Sequence, residues 1–134
     1  MKITKTIYAV VVSFCLLAPP LYAQDAIAIV VNKKNSVQNL TADEVAQIFS
    51  GTKTEWKDGS RIFVVTRKTN LKIRKEFEAS LFGGRRTAGK QNFKTYSIGS
   101  EEGMKNFIAN TPEAIGYIYK KNMNNSVKAV FILK

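Results

Sequence analysis

The residues that offer the most chemistry are basic, and they cluster between positions 67 and 94. That window holds nine Lys and Arg residues against only two acidic ones, Glu76 and Glu78. The nine are Arg67, Lys68, Lys72, Arg74, Lys75, Arg85, Arg86, Lys90 and Lys94. The whole chain of 134 residues carries a net charge of +11. Such clustering is typical of a surface that binds an anionic partner, and the alternative is a solvated face that keeps the protein soluble.

The same inventory excludes several kinds of catalysis and metal site. The chain has no His and a single Cys, so it cannot build a Ser-His-Asp or Cys-His triad, an imidazole metal site, a cysteine-rich zinc cluster or an internal disulfide. The acidic pairs at 43–44 and 101–102 are interpreted as charges at helix starts rather than as an acid and base pair. We therefore expect a protein that is not an enzyme and that uses no metal and no cofactor.

The first 23 residues have the order of charges and apolar residues that is typical of a secretory signal peptide. Lys2 and Lys5 precede an apolar core at 7–17, and Leu21, Tyr22 and Ala23 follow a Pro-Pro pair. We expect cleavage after Ala23, a periplasmic domain at 24–134 and no stable membrane anchor. A permanent anchor is disfavoured because a membrane span needs about 20 apolar residues. Lipidation at Cys15 is a weaker alternative, because Phe14 stands where a small residue is wanted.

The rest of the chain alternates strand and helix patterns. Strands are predicted at 26–31, 61–66, 115–119 and 127–133, with a weaker signal near 93–98. The first of these is continuously apolar and is expected to be buried on both faces and central in the sheet. The helices are expected to begin at Thr41 with a capping box, at Asn70 and at Ser100. This alternation indicates a single α/β domain with a mostly parallel sheet flanked by helices.

Four further residues each allow two interpretations. Trp56 is expected to fold over the adjacent core, and the alternative is a surface anchor for a partner. Tyr117 and Tyr119 alternate on one strand, which places both rings on one face, where packing is favoured over ligand stacking. Gly116 directly precedes Tyr117 and has apolar neighbours, which indicates either a close approach of the backbone or a bulge.

Several segments, in this order and spacing, resemble the phosphate ABC-transporter substrate-binding protein family. They are 29–32 (IVVN), 40–51 (LTADEVAQIFSG), Trp56, 58–59 (DG), 64–67 (VVTR) and 112–117 (PEAIGY). The resemblance covers about 27–77 and 112 to the C-terminus, and it is poor at 83–99. It implies the fold of one lobe of a type II periplasmic-binding-protein-like clamp. Because the chain has no room for a second lobe, it is more similar to the short, single-lobe members of the family.

The resemblance also places a candidate anion site after the second strand. The family pattern there is Arg, any residue, an acidic residue, any residue, then Ser-Gly-Thr at a helix start. Here Arg67 is retained, while Leu71, Lys72 and Ile73 replace the two hydroxyls and the Gly. We expect weak binding of phosphate or another oxyanion at 67–73, centred on Arg67 and the backbone of 71–73. The candidate ligand-binding residues are Arg67, Lys68, Thr69, Asn70, Leu71, Lys72 and Ile73.

Two hypotheses about partners follow. The first is an exported, non-enzymatic phosphate-binding-like protein. The alternative is a periplasmic interaction module that has lost its ligand and docks on an envelope protein through Arg74, Arg85, Arg86 and Lys90. A homodimer that rebuilds a two-lobed cleft is a further alternative. No nucleic-acid partner is expected, because the chain lacks a recognised nucleic-acid motif and export removes the usual target.

Overall fold

A computed structural model describes residues 25–83 and 95–134. The strands are β1 (Ile27–Val31), β2 (Phe63–Arg67), β3 (Thr95–Ile98), β4 (Ala114–Tyr119) and β5 (Lys128–Leu133). The helices are α1 (Ala42–Ser50), α2 (Lys72–Phe82) and α3 (Glu101–Ala109), and a short 3-10 turn covers Lys120–Asn122. The predicted signal peptide at 1–23 lies outside the described residues.

The five strands form one sheet in the order β3-β2-β4-β1-β5. The strands β2, β3 and β4 pair in parallel, whereas β1 is antiparallel to both β4 and β5. Four strands therefore point in one direction and only β1 is reversed. The predicted α/β class is confirmed, but "mostly parallel" slightly overstates the pairing, since two of the four strand contacts are antiparallel.

Strand β1 is buried at all five positions, as its continuous apolar run predicts. It occupies an interior position next to β5, while β4 holds the centre of the sheet. The prediction that β1 is central was therefore wrong by one place. The reason is that β1 reverses direction and inserts between β4 and β5, so burial on both faces does not require the central position.

Helices α1 and α2 cover one face of the sheet, and α3 covers the other. The first face packs Val45, Ile48, Phe49, Ile73 and Phe77 against the sheet, together with the ring of Tyr117. The second face packs Met104 and Ile108 against Ala28, Val30, Val65 and Ile118. Period-two alternation thus sends every second side chain of a strand to α2 and the others to α3.

The caps of α1 follow the sequence closely. The Thr41 side chain accepts a hydrogen bond from the Glu44 N–H, and the Glu44 carboxylate accepts one from the Thr41 N–H, which completes the predicted capping box. Gly51 ends the helix in the left-handed region with φ 83°. The predicted start of α3 is also confirmed, since Ser100 accepts from the Gly103 N–H.

The cap of α2 differs from the prediction. Leu71, not Asn70, occupies the N-cap position, and it makes no side-chain capping bond. Asn70 belongs to the preceding turn, which is closed by a hydrogen bond from the Leu71 N–H to the Lys68 carbonyl. Burial explains why α2 begins after Leu71, because this start turns Ile73 and Phe77 toward the core.

Gly116 lies where side chains of α3 pack tightly against the backbone of β4. A Cβ at this position would stand 2.6 Å from Met104 Sδ and 2.8 Å from Ile108 Cδ1. The register between β1 and β4 continues through Gly116 without interruption. The residue therefore serves close approach, and the bulge reading is wrong.

Trp56 is buried, with 8% of its surface exposed, and its Nε1–H donates to the Glu113 carbonyl at 3.0 Å. The interpretation that this ring folds over the core is confirmed. Tyr117 and Tyr119 lie on the same face, as alternation predicts.

Candidate functional site

The parallel strands bring their carboxyl ends to one edge of the sheet. Strand β2 ends at Arg67, β3 ends at Ile98, and α2 and α3 begin a few residues later. In α/β sheets, ligands bind in the crevice outside such carboxyl ends, where the N–H groups of the following helices point outward. The turn at 68–71 between β2 and α2 therefore has the position in the fold at which such ligands bind.

Arg67 lies on the α3 face of the sheet, because it shares its side with Phe63 and Val65. Its guanidinium donates to Glu101 Oε2 at 2.6 Å, to the Ile98 carbonyl at 3.1 Å and to the Gly99 carbonyl at 3.2 Å. Only 4% of the side chain is exposed. These contacts make Arg67 a link between β2 and the β3–α3 turn, and its direct contact with an anion stays a prediction.

Glu101 lies at the same edge of the sheet, and the sequence did not reveal its contacts. Its Oε2 accepts from Arg67, and its Oε1 accepts from the Tyr119 N–H and from Asn122 Nδ2, both at 2.9 Å. The sequence signal was only its place in the first turn of a helix. Its three partners come from three other elements, so no local spacing could have identified them.

On the opposite face, a cleft of about 430 Å³ runs from the β2–α2 turn along the sheet. Its polar lining comes from β2, β3, the turn and α2, and its apolar floor comes mainly from aromatic rings. The polar residues are Thr66, Lys68, Thr69, Asn70, Arg74, Glu78, Thr95 and Ser97. The apolar residues are Phe49, Val64, Phe77 and Phe82.

The strand register explains why these side chains meet. Val64 pairs with Thr95 and Thr66 pairs with Ser97 in the parallel β2–β3 ladder, so all four share the α2 face. Lys68, two residues after Thr66, continues the same side at the end of the strand. The structure therefore separates Lys68 from Arg67, although the sequence had grouped them in one site.

Arg74 also lines this cleft, although the sequence had assigned it to a partner-facing surface. Its Nε donates to Glu78 Oε1 at 2.6 Å, and its Nη1 donates to the Arg67 carbonyl at 2.7 Å. Arg74 thus ties α2 to the end of β2 and brings a cation to the cleft. Of the other predicted partner-facing residues, Arg85, Arg86 and Lys90 lie outside the described residues.

The three residues at the Ser-Gly-Thr positions take different roles. Ile73 is buried in the core, and Leu71 packs against the same core from the N-cap position. Lys72 points outward, with 83% of its side chain exposed, and pairs with Glu76 at 3.4 Å. Their side chains do not line the cleft, so any contribution from 71–73 to anion binding comes from the backbone N–H groups.

Two tyrosines border the site. The Tyr117 hydroxyl bonds to Thr66 Oγ1 at 2.9 Å and accepts from the Arg67 N–H at 3.1 Å, and burial raises its pKa. The Tyr119 hydroxyl donates to Glu76 Oε2 at 3.1 Å. Desolvation, followed by this hydrogen bond, raises the pKa of Tyr119 to about 12. Both hydroxyls therefore remain neutral at physiological pH, and their hydrogen bonds tie β4 to the end of β2 and to α2.

Residues 25–83 and 95–134 contain no group of three or more His, Cys, Asp and Glu side chains placed to hold a metal ion. Within the same part of the chain, every helix is too short or too polar to cross a membrane.

Comparison with known proteins agrees with the resemblance read from the sequence. A family model described as "PBP superfamily domain" matches residues 18–129. A curated relative, the phosphate-binding protein PstS 2 of Streptococcus agalactiae serotype V, is 51% identical over 39 residues, which is 29% of this chain and 13% of the relative.

Solved structures extend the match to the fold. An ABC-type phosphate transport receptor from Vibrio cholerae matches with a TM-score of 0.72 and 31% identity, over 79% of this chain and 45% of the receptor. A putative phosphate ABC transporter substrate-binding protein from Clostridium perfringens, solved with bound phosphate, gives 0.70 and 28% over 79% and 44%. PstS from Borrelia burgdorferi, at 19% identity and a TM-score of 0.67, supports the fold alone. The chain thus spans less than half the length of these proteins.

Proposed function

This chain belongs to the PBP superfamily, and we propose that it is an exported, non-enzymatic protein that binds phosphate or a related oxyanion in the cleft beside the β2–α2 turn. The observation that carries the proposal is the lining at the carboxyl end of β2. There Lys68, Thr69 and Asn70 meet Arg74 at one end of the cleft. The names of the similar proteins, which refer to phosphate binding or phosphate transport, support the choice of ligand.

The chemistry of this end of the cleft suits a tetrahedral oxyanion. Lys68 supplies an exposed positive charge, Thr69 and Asn70 supply hydrogen-bond donors, and the start of α2 adds outward N–H groups with the positive end of the helix dipole. Thr and Asn oxygens and the Glu78 carboxylate can also accept the proton of a hydrogen phosphate, which sulfate lacks at neutral pH. The site can therefore distinguish phosphate from sulfate.

In the proposed arrangement, Arg67 supports this site from the opposite face of the sheet. Its guanidinium holds the Gly99 carbonyl, and the aliphatic part of Lys68 lies beside Gly99, where an added Cβ would be 3.4 Å from Lys68 Cδ. Arg67 is thus a positioning residue for the Lys68 side of the cleft.

The cellular part of the proposal rests on the sequence and on the relatives. The leader-like residues 1–23 predict export to the periplasm, and the similar proteins are named as receptors and substrate-binding proteins of transporters. Delivery of the bound anion to a transporter would need no bond to be broken, which is why we assign no enzymatic step.

Calorimetric titration with phosphate, using sulfate as the competing anion, tests the proposal. The Lys68→Ala variant is expected to weaken phosphate binding by tenfold or more, because hydrogen bonds to charged groups contribute about 1.5–3 kcal/mol. Lys33→Ala is the matched control, since Lys33 is exposed and follows β1 at the opposite edge of the sheet, and it removes the same charge.

The salt dependence separates a site from a generally basic surface. We expect phosphate binding to persist at about 0.15 M salt, where screening acts over about 8 Å. Binding that is shared equally with sulfate, abolished by salt and weakened equally by both Lys variants would refute the proposed site. That result would instead favour the alternative of docking on an acidic envelope partner.

A further inference from the structure

We propose that Thr66 is a ligand-binding residue of the cleft, whose hydroxyl donates a hydrogen bond to the bound oxyanion, and that Tyr117 is the positioning residue that orients this hydroxyl. The inference rests on the function proposed above and deepens it, because it names a donor that the sequence did not identify. The segment 71–73 carries no side-chain hydroxyl, whereas Thr66 lies on the wall of the cleft.

The direction of one hydrogen bond carries this inference. The Arg67 N–H donates to the Tyr117 hydroxyl oxygen at 3.1 Å, so this contact does not use the phenolic proton. Thr66 Oγ1 lies 2.9 Å from the same oxygen, and in residues 25–83 and 95–134 it is the one acceptor within hydrogen-bond distance of that proton. Tyr117 is fully buried, where a hydroxyl proton without an acceptor is unfavourable. The phenolic proton is therefore donated to Thr66.

The Thr66 hydroxyl keeps its own proton for a ligand, because it accepts the bond from Tyr117 through a lone pair. Thr66 is half-buried, and its side chain shares one side of β2 with Lys68, two residues further on. Strand residues rise about 3.3 Å each, so the two side chains begin about 7 Å apart on one wall of the cleft. A single oxyanion can therefore contact both the Thr66 hydroxyl and the Lys68 ammonium group.

The fold holds the Tyr117 hydroxyl at this place. Its ring stacks on Phe77, with centroids 3.8 Å apart and an angle of 4° between the ring planes. The parallel pairing of β2 with β4 covers only Phe63 and Val64, and further along β2 the Tyr117 hydroxyl accepts from the Arg67 N–H. Burial raises the pKa of this hydroxyl, so it keeps the proton that it donates. Hydrogen bonds in such a chain polarise one another, which strengthens the last donor.

The test is calorimetric titration of the full chain with inorganic phosphate. Thr66→Val keeps the branched shape and removes the donor, so we expect it to weaken phosphate binding by about tenfold or more. Thr66→Ser keeps the hydroxyl and should stay within about twofold of the parent. Thr54→Val is the matched control and should leave the affinity unchanged. Thr54 is exposed, and its carbonyl accepts from the Ile62 N–H at the amino end of β2, away from the cleft.

Tyr117→Phe tests the orientation of the Thr66 hydroxyl. We expect it to lower phosphate affinity by about three- to tenfold in the parent and to cause no further loss in Thr66→Val, because Tyr117 acts through Thr66. The double variant has neither hydroxyl, so no buried proton is left without an acceptor. It therefore measures the loss of the donor even if Thr66→Val alone does not fold, and it should bind phosphate about tenfold or more weakly than the parent.

Three results would overturn the inference. If the parent binds phosphate and Thr66→Val binds it equally well, the inference is overturned while the proposed function stands. The same holds if Tyr117→Phe leaves the affinity unchanged, or lowers it by the same factor with and without the Thr66 hydroxyl, because Tyr117 would then not act through Thr66. If the parent binds no phosphate, the inference and the proposed function are both overturned.

Discussion

Replacing Glu101 with Ala should destabilise the carboxyl edge of the sheet more than any other single loss of a carboxylate in the described residues. Glu101 is the only acidic partner there of the Arg67 guanidinium, at 2.6 Å, and the Arg67 side chain is 4% exposed. Removing one member of a buried ion pair costs about 3–5 kcal/mol, because the remaining charge stays buried without its partner. Glu101 itself is 20% exposed and Arg67 keeps two carbonyl acceptors, so we expect about 3 kcal/mol.

Urea unfolding, followed by Trp56 fluorescence and by far-UV circular dichroism, measures this cost. With a slope of about 1–3 kcal/mol per molar urea, a loss of 3 kcal/mol lowers the midpoint by about 1–3 M. Glu101→Gln should cost roughly half as much, since the amide oxygen still accepts from the Tyr119 N–H while the charge is lost. The exposed Glu113 provides the control, and Glu113→Gln should change the free energy of unfolding by less than about 0.5 kcal/mol.

The double variant Arg67→Met with Glu101→Leu distinguishes a buried pair from a general loss of packing. Because both charges are removed together, it should recover at least half of the stability lost by Glu101→Ala. A cost below about 1 kcal/mol for Glu101→Ala, or a double variant as unstable as the sum of both single variants, would refute the assignment of Arg67 as a structural link.

Two further stability predictions concern other parts of the fold. Gly116→Ala should cost about 1–3 kcal/mol in urea unfolding, because its Cβ would overlap Met104 Sδ and Ile108 Cδ1, and an unchanged midpoint would contradict this close approach. For the α1 capping box, the hydrogen bond from the Thr41 N–H is the main cause that lowers the pKa of Glu44 below its ordinary 4.5. A carboxyl with a lowered folded pKa stabilises the protein above its unfolded pKa and loses this effect as the pH falls through the folded one. Glu44→Gln should therefore be less stable than the parent at pH 7, with the difference disappearing below pH 4.5; a difference that stays constant with pH would contradict it.

Local signals predicted the elements of the fold well. The capping box of Thr41 and Glu44, the left-handed Gly51 and the continuous apolar run of β1 each depend on residues close in sequence, so they could be read directly. The reversal of β1 depends on its pairing with strands about 90 and 100 residues later, which no local pattern encodes. The α/β class was therefore predictable, and the pairing of β1 was not.

Anion binding at 67–73 stays a prediction, and the structure shows how the residues of this segment are arranged. The sequence identified the segment 67–73, and the structure puts its turn at the mouth of the cleft. However, alternation along β2 sends Thr66 and Arg67 to opposite faces, and the guanidinium meets Glu101 only through the β3–α3 turn, 34 residues away. The sequence prediction considered the charges and not which face of β2 each residue occupies, so it grouped Arg67 with Lys68. It missed Thr95 and Ser97 because the β-strand signal of their segment was weak.

The separation of Arg67 and Lys68 on opposite faces of the sheet limits what charge alone can contribute to the free energy of anion binding. With Arg67 on the other face and Arg74 paired to Glu78, Lys68 is the main uncompensated cation among the described residues that line the cleft. A single charge pair at about 4 Å gives about 1 kcal/mol in water and about 4 kcal/mol near a protein surface. A dissociation constant of 1 mM already requires about 4 kcal/mol, and 1 µM requires about 8 kcal/mol. Micromolar affinity in this cleft therefore requires, besides the charge of Lys68, the hydrogen-bond donors of Thr69, Asn70 and the start of α2.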